Sequence, residues 1–299
     1  MTQRIFRRAA CLFGAGLLGS AFALPSLSWQ SEGDAASPAE AGESAGGADA
    51  ALDGLEWRSV GPAFMSGRIA DIQVHPKKQS TWYVAVGSGG VWKTVNAGTT
   101  WTPIFDDQTS YSIGCLAIDP SAHETVWVGT GENVTGRHVG FGDGLYRSQD
   151  GGATWEPRGL QASEHIGSIV VHPDDSDVVW VAAQGPLWSP GGERGVYKTT
   201  DGGDTWTCVL SAGSYTGAGE VHMDPENPEV LFATLHQKHR TVAALMDGGP
   251  ESGIHKSTDG GETWTKLKGG LPTQHVGKIG LAVSPFDSSI VYATIEEGE

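Results

Sequence analysis

Basic residues are scarce in this sequence, and so are cysteines and long apolar runs. Lys and Arg together number 19 against 35 Asp and Glu, for a formal net charge of −16 at pH 7. Because this charge repels a phosphate backbone, nucleic acid is excluded as a partner. No apolar run of 18 residues or more occurs after the first thirty, so no transmembrane helix is predicted in the body of the chain.

The first thirty residues have the pattern of an export signal. Arginines at positions 4, 7 and 8 precede the apolar stretch Ala9–Leu24, which holds the cleavage pattern Ala21-Phe22-Ala23. This predicts a signal peptide over residues 1–23, with the Sec and twin-arginine routes left open. Residues 24–52, rich in Ala, Gly, Ser and Glu, are predicted to be a disordered tether. We expect an exported protein, periplasmic or extracellular, with no transmembrane segment after cleavage.

Cysteine and histidine offer little for disulfide or metal chemistry. Cys115 and Cys208 lie in predicted strands of different repeats, and we expect two buried free thiols, although export would permit a disulfide. His236 and His239 are three residues apart, but no third ligand is in view. We therefore predict no metal site and no cofactor.

Glycine is abundant, at 44 residues, and much of it belongs to a repeated motif. The pattern Ser/Thr-x-Asp-x-Gly-x-Thr-Trp, with Asn for Asp in the first copy, occurs at Thr94–Trp101, Ser148–Trp155, Thr199–Trp206 and Ser257–Trp264. A strand-like run ending before a proline keeps phase with it, at Pro76, Pro120, Pro173, Pro225 and Pro285. Each period thus holds four short strands, A to D, which is typical of a β-propeller blade.

Residues 53–299 are accordingly predicted to be an all-β propeller of four-stranded Asp-box blades. Four full blades and the A and B strands of a fifth are visible, and Leu55–Val60 resembles an outer D strand that would close the ring. Because the sequence stops inside a blade, we expect either a fragment of a larger propeller or a three-stranded fifth blade.

The repeated motif has a structural explanation. Its Asp or Asn accepts backbone N–H groups within the C–D hairpin, its glycines allow positive φ, and its Trp packs between blades. The residues with this role are Asn96, Trp101, Asp150, Trp155, Asp201, Trp206, Asp259 and Trp264.

These repeats resemble the bacterial sortilin-type, Asp-box (BNR) repeat propellers that are often labelled glycosyl hydrolase. The segments on which this resemblance rests are Trp57–Ile69, Gly89–Thr94, Trp101–Asp107, Gly195–Gly203 and Ser257–Gly260. A fainter similarity extends to photosystem assembly propellers and to xyloglucan-cleaving enzymes made of paired propellers. The latter resemblance implies an acid just before the Gly-Gly of blade one, where this chain has Ser88.

The connections between strands B and C lengthen along the chain, which suggests a binding face. They are Gly87–Gly90, Gly131–Asp143, Gln184–Arg194 and His236–Ser252, and they share one face with the D–A loops. The candidate ligand-binding residues are Arg68, Glu132, Asn133, Arg137, His138, Trp188, Glu193, Arg194, His236, His239 and Arg240.

Catalysis would require a pair of carboxylates. The position five residues before each strand-ending proline holds Cys115, Ser168 and Gly280 in three repeats, whereas Asp71 and Glu220 break that pattern. With Glu132 they are the candidate catalytic residues. The expected function is nonetheless a non-catalytic propeller that binds a protein or polysaccharide through its B–C loops. The alternatives are a glycoside hydrolase of the endo-glucanase or xyloglucanase type and a sorting or assembly factor for exported proteins.

Overall fold

A computed structural model of the protein describes residues 68–134, 136, 138–272 and 275–298. The predicted signal peptide, the tether, the strand at Leu55–Val60 and Arg137 lie outside these residues. Within them the chain is almost entirely strand and turn, with the three-residue 3-10 turn Gln161–Ser163 as their one helix. This part of the chain thus contains no helix with the length and hydrophobicity needed to span a bilayer.

Four sheets have the predicted antiparallel order A–B–C–D, and a fifth has two strands. Blade one comprises β1 (Ile69–Val74), β2 (Trp82–Val86), β3 (Gly90–Thr94) and β4 (Thr102–Pro103). Blade two comprises β5 (Ile113–Ile118), β6 (Val126–Thr130), β7 (Leu145–Ser148) and β8 (Glu156–Pro157). Blade three comprises β9 (Ile166–Val171), β10 (Val179–Ala183), β11 (Gly195–Thr199) and β12 (Thr207–Leu210).

Blade four comprises β13 (Thr216–Met223), β14 (Leu231–Arg240), β15 (Leu245–Asp247), β16 (Gly253–Ser257) and β17 (Thr265–Lys266). Blade five comprises β18 (Val276–Val283) and β19 (Val291–Glu297). Blade four differs from the prediction, because the connection His236–Ser252 is not a loop throughout. Strand β14 continues to Arg240 and pairs with β15, and the Thr241 N–H donates to the Ala244 carbonyl at 2.8 Å to close the turn.

Neighbouring inner strands contact each other backbone to backbone. The ladder between strands A and B shifts register just before Cys115 in blade two and just before Ser168 in blade three, and the residue skipped is a glycine. A Cβ added to Gly114 would lie 2.3 Å from the Ile166 carbonyl oxygen, and one added to Gly167 would lie 2.1 Å from that of Gly219. Only glycine allows so close an approach at these points.

Farther from the centre, an aromatic ring and a cation pair within each of blades one to four, and two of these cations also donate to a backbone carbonyl of the next blade. In each pair the ring lies on the B strand and the cation on the C strand, with the charge 5.1–5.5 Å from the ring centre. Lys93 Nζ also donates to the Gly151 carbonyl at 2.7 Å, and Arg147 Nη1 to that of Gly202 at 3.0 Å, both in the Asp-box of the following blade. The pairs are Tyr83–Lys93, Trp127–Arg147, Trp180–Lys198 and Phe232–Lys256.

The Asp-box itself is a hydrogen-bonded turn. Asp150 Oδ1 accepts the Thr154 N–H at 2.9 Å and the Ser148 hydroxyl at 2.7 Å, and the Thr154 hydroxyl donates to Oδ2. These bonds, led by the Thr154 hydroxyl, lower the pKa of Asp150 to about 2. Trp155 Nε1 donates to the Ile104 carbonyl of the preceding blade at 2.6 Å, so the motif also joins blades.

The two cysteines of the body are both free thiols, but only one is buried. Cys115, on an inner strand, is 5% exposed, and burial raises the pKa of its thiol. The expectation of a second buried thiol is wrong, because Cys208 lies on an outer D strand and is exposed.

The inner glycines generate a stability prediction. Gly167→Ala is expected to lower the free energy of unfolding by about 1–3 kcal/mol, because the new methyl group meets backbone that only a strand movement can displace. Urea unfolding followed by tryptophan fluorescence measures this change. Gly269→Ala is the matched control, since nothing lies within 4 Å of a Cβ there. Equal unfolding midpoints for the two variants would contradict the backbone contact.

Candidate active site at the centre of the loop face

The B–C and D–A connections hydrogen-bond to one another and form one face, which we call the loop face. Gly90 N donates to the Tyr111 carbonyl at 2.9 Å, and Gly131 N to that of Ser112 at 2.7 Å. At the centre of this face is a cavity of about 530 Å³, here called the central cavity. Its lining includes Arg68, Asp71, Glu132, Asn133, Ser168, Glu220 and His222. The three carboxylates that sequence reasoning singled out therefore meet around one cavity.

Asp71 lines the cavity from blade one and is held by three N–H groups. Its Oδ1 accepts the N–H of Ile72 at 2.7 Å and the Gln73 amide at 3.2 Å. Its Oδ2 accepts the N–H of Leu116, on the inner strand of blade two, at 2.9 Å. Both oxygens of Asp71 thus accept hydrogen bonds, one within its own strand and the other from the neighbouring blade.

Glu220 occupies the equivalent position in blade four. Its Oε2 accepts the Leu281 N–H of blade five at 2.7 Å and lies 3.1 Å from His222 Nε2. Burial alone would raise the pKa of Glu220, but these two hydrogen bonds, with the charges of His222 and Lys278, lower it below its usual value. Glu220 is therefore held ionised at neutral pH.

The position shared by Asp71 and Glu220 also has a structural function. In blade three it holds Ser168, whose hydroxyl accepts the Val221 N–H of blade four at 2.7 Å. In three blades this residue thus accepts an N–H that the neighbouring inner strand presents, and serine suffices. A carboxylate there keeps the contact and adds charge to the central cavity.

Glu132 reaches the same cavity from the B–C loop of blade two. Its side chain is only 2% exposed, while that of its ion-pair partner Arg68 is 58% exposed. Its Oε1 also accepts the Ser88 hydroxyl at 2.6 Å. The carboxylate is therefore buried, with its guanidinium partner open to solvent.

A chain of buried polar groups supports this loop from below. Asn133 Oδ1 accepts the Gln184 amide, and Gln184 Oε1 accepts Lys238 Nζ. Burial, reinforced by the charges of Lys278 and Arg194, lowers the pKa of Lys238 to about 7.

His165 completes this support. Its Nδ1 lies 3.0 Å from the Glu132 carbonyl oxygen, and its side chain is 3% exposed. Burial first, and then the charge of Lys238, lowers the pKa of His165 to about 3. The imidazole is therefore neutral, and we infer that its Nδ1–H donates to Glu132.

Several ligand-binding candidates are engaged in local structure. Arg194 is 5% exposed and donates to carbonyls of its own loop, including Gly191 at 2.7 Å and Gln184 at 2.8 Å. Its neighbour Glu193 accepts the Ala162 N–H at 2.9 Å. We assign Arg194 to organising the third B–C loop, an assignment that the sequence alone could not provide.

The candidates in blade four lie away from the central cavity. His236 is buried, with Nε2 2.8 Å from Asp247 Oδ1, and His239 packs on Tyr215 with ring centres 4.6 Å apart. Arg240 closes β14, where its N–H donates to the Leu187 carbonyl at 3.0 Å.

Two other candidates are open to solvent, and several lining residues were not anticipated. Trp188 is 47% exposed and His138 is exposed, both on the loop face. The residues that sequence reasoning missed are His222, which lines the central cavity, Ser88, which donates to Glu132, and Lys278, which donates to the Asn133 carbonyl. His222 had a usable signal, since it lies two residues from Glu220 and points to the same side of its strand.

A model of the Sortilin-Vps10 family (sortilin, neurotensin receptor 3) matches residues 143–298 of this chain. A xyloglucanase from Paenibacillus sp is 24% identical over 265 residues, 79% of this chain and 24% of its own. A xyloglucanase from Hypocrea jecorina is 23% identical over 244 residues, 72% of this chain and 28% of its own. The chain thus spans about a quarter of the length of these curated relatives.

Solved structures confirm the predicted propeller fold. The GH74 xyloglucanase from Xanthomonas campestris has a TM-score of 0.54 at 20% identity and covers 74% of this chain and 34% of its own. An ancestral GH74 enzyme has a TM-score of 0.57 at 17% identity, and the match covers 74% of this chain and 28% of that enzyme.

The expectation of a non-catalytic binding module is wrong. The two relatives and one of the structural neighbours described above carry the name xyloglucanase, and the other neighbour is a GH74 enzyme, which favours the glycoside hydrolase alternative. The serine at position 88 does not exclude catalysis, because carboxylates from three blades line the central cavity.

The buried imidazole below Glu132 generates a pH prediction. The pKa of His165 is about 3 in the folded protein, against 6.5 for an unperturbed histidine, so below about pH 6.5 the unfolded chain binds a proton that the folded protein does not. Protonation therefore favours unfolding, and between pH 7 and pH 4 we expect the free energy of unfolding to fall by about 3 kcal/mol on account of His165.

Urea unfolding at several pH values measures this loss. In His165→Gln the corresponding part of the pH dependence should vanish, whatever the stability of the variant at pH 7. His138→Gln, at an exposed histidine, is the control and should retain the dependence. An identical pH dependence in all three proteins would exclude His165 as its source.

Proposed function

The chain belongs to the Sortilin-Vps10 family, and we propose that it forms part of an exported glycoside hydrolase that acts on a polysaccharide at the central cavity. The observation that carries this proposal is the meeting of Asp71, Glu132 and Glu220 around one cavity, from three different blades. Hydrolysis of a glycosidic bond requires a pair of such groups, one to donate a proton and one to activate water or attack the sugar.

Glu220 suits the role of base or nucleophile. Its pKa is lowered by the His222 and Leu281 hydrogen bonds in spite of burial, so it is ionised at the pH where an exported enzyme works. Both bonds are to Oε2. We therefore assign Oε1 as the atom that faces the reacting centre.

Glu132 is the proposed proton donor. The xyloglucan-cleaving enzymes that this chain resembles have an acid just before the Gly-Gly of blade one, and Ser88 stands at that position here. The Ser88 hydroxyl donates to Glu132 Oε1, so a carboxylate from blade two lies beside that position. Arg68, largely exposed, would leave Glu132 when a substrate arrives, and the carboxylate would then take up from water the proton that it donates to the leaving-group oxygen.

Asp71 is proposed as a positioning residue. Its two oxygens accept three N–H groups, one of them from Leu116 of the next blade. It thus aligns the inner strands of blades one and two on either side of the cavity.

The proposed substrate class is a neutral polysaccharide of the xyloglucan type. Two relatives carry the name xyloglucanase, and the net charge of −16 disfavours acidic polymers. Because the chain spans about a quarter of these relatives, the remaining part of the substrate site is proposed to lie in further blades of the whole protein.

Release of reducing ends from xyloglucan tests the proposal. Glu220→Gln and Glu132→Gln are each expected to lower kcat about 100-fold or more, because each removes one partner of the acid–base pair. In Glu220→Gln the acidic limb of the pH–rate profile should also disappear. Asp71→Asn is expected to lower the free energy of unfolding and to lower kcat less than either of these two variants does.

Asp174→Asn serves as the matched control, since this exposed carboxylate lies in an A–B turn. The hydrolase proposal fails if the wild-type protein releases no reducing ends, or if Glu220→Gln and Glu132→Gln are as active as Asp174→Asn.

A further inference from the structure

A groove runs outward from the central cavity over blades one and two. A shallow depression lined by Arg68, Val134 and His138 shares its first two residues with the central cavity. It shares His138 and Val139 with a further cavity of about 400 Å³. That outer cavity is lined by Ser88, Thr109, Ser110, Tyr111, His138, Val139, Gly140, Phe141, Gly142 and Asp143, and we call it the aromatic pocket.

Two aromatic side chains stand out in the aromatic pocket because they are exposed. Tyr111 is 67% exposed and Phe141 is 73% exposed. Neither belongs to an Asp-box or to a core cluster, so the fold does not account for them. Aromatic rings left in water beside a cavity are typical of a surface that binds a ligand with a flat apolar face.

The backbone beneath both rings is tightly held. The Gly140 carbonyl accepts the Ser112 hydroxyl at 2.8 Å and the Glu132 N–H at 3.0 Å, and the Gly142 N–H donates to the Glu164 carbonyl at 2.8 Å. The Tyr111 carbonyl accepts the Gly90 N–H at 2.9 Å. The backbone that carries the rings is therefore held in place before a ligand arrives, which lowers the entropy cost of binding.

Polar groups surround the rings. Asp143 accepts the Tyr146 hydroxyl at 2.8 Å and also the Thr109 hydroxyl, and Ser88 and His138 lie on the side toward the central cavity. Rings flanked by hydroxyl, imidazole and carboxylate groups match a sugar, which has an apolar C–H face and a polar rim. A lipid or an apolar peptide would place apolar groups against the Asp143 carboxylate and the His138 imidazole, and would offer no hydrogen bond to offset the loss of water around them.

We propose that Tyr111 and Phe141 form a stacking platform for a sugar ring of the polysaccharide chain, remote from the ring cleaved at the central cavity. This proposal rests on the proposed function and adds the path of the bound polysaccharide, which runs outward over blades one and two. The protein accordingly binds several consecutive sugars, and the platform contributes nothing to the binding of a fragment that fills the central cavity alone.

Binding of cello-oligosaccharides of two and six glucose units, and of xyloglucan polymer, tests the platform by calorimetry. All proteins carry Glu220→Gln, so that no hydrolysis disturbs the measurement. The double variant Tyr111→Ala, Phe141→Ala is expected to bind the six-unit oligosaccharide and the polymer about tenfold more weakly or worse. Its affinity for the two-unit fragment and its melting temperature should not change.

Two further variants control for loss of an exposed ring. Phe286→Ala removes a side chain that is 94% exposed in an A–B turn and should bind every probe as before. Tyr111→Phe retains the ring and should restore most of the affinity that Tyr111→Ala loses.

The outcomes separate this proposal from the proposed function. Unchanged affinity of the double variant for the six-unit oligosaccharide and for the polymer overturns the platform, even where the wild-type protein hydrolyses xyloglucan. Binding that depends on Tyr111 and Phe141 without any hydrolysis by the wild-type protein supports the platform and overturns the hydrolase. Absence of binding to all three probes overturns the platform, and the hydrolase proposal is then decided separately by whether the wild-type protein releases reducing ends from xyloglucan.

Discussion

The contact between neighbouring inner strands is the constraint on which the rest of the structure depends. Gly114 and Gly167 bring backbone to within van der Waals distance of the next blade, and the register shift beside each of them turns the following side chain toward the central cavity. One residue per blade is thereby aimed at the centre, at a position set by the strand and not by a loop. A site built on strands is held more rigidly than one built on loops.

The inner-strand position serves the packing of blades, and it is also where two of the proposed site carboxylates lie. An oxygen there satisfies an N–H of the next blade, as Ser168, Asp71 and Glu220 all do. Replacing serine by a carboxylate costs the fold little, because the acceptor remains, yet it adds charge at the centre of the loop face. The proposed chemistry thus draws on groups that the packing of blades already requires.

The sequence was enough to predict most of the strands but not the contacts that individual side chains make. The phase between the Asp-box and the strand-ending proline placed the A–D strands of four blades, because both signals are local. The extension of β14 to Arg240 was not predicted, because the polar side chains of Lys238 and Arg240 do not indicate a strand. The role of Arg194 was equally hidden, because its partners are main-chain carbonyls, which carry no sequence signal.

The contacts between blades give the repeat a direction. Lys93 and Arg147 donate forward to the following Asp-box, whereas Trp155 and Trp206 of those Asp-boxes donate back to the preceding blade, so the two sides of a blade present different groups. Such head-to-tail contacts are heterologous, and whether they end in a closed ring depends on the rotation per unit alone. A ring with one blade more or fewer would require a different rotation at every interface, so these contacts together set the number of blades and, with it, the width of the central opening.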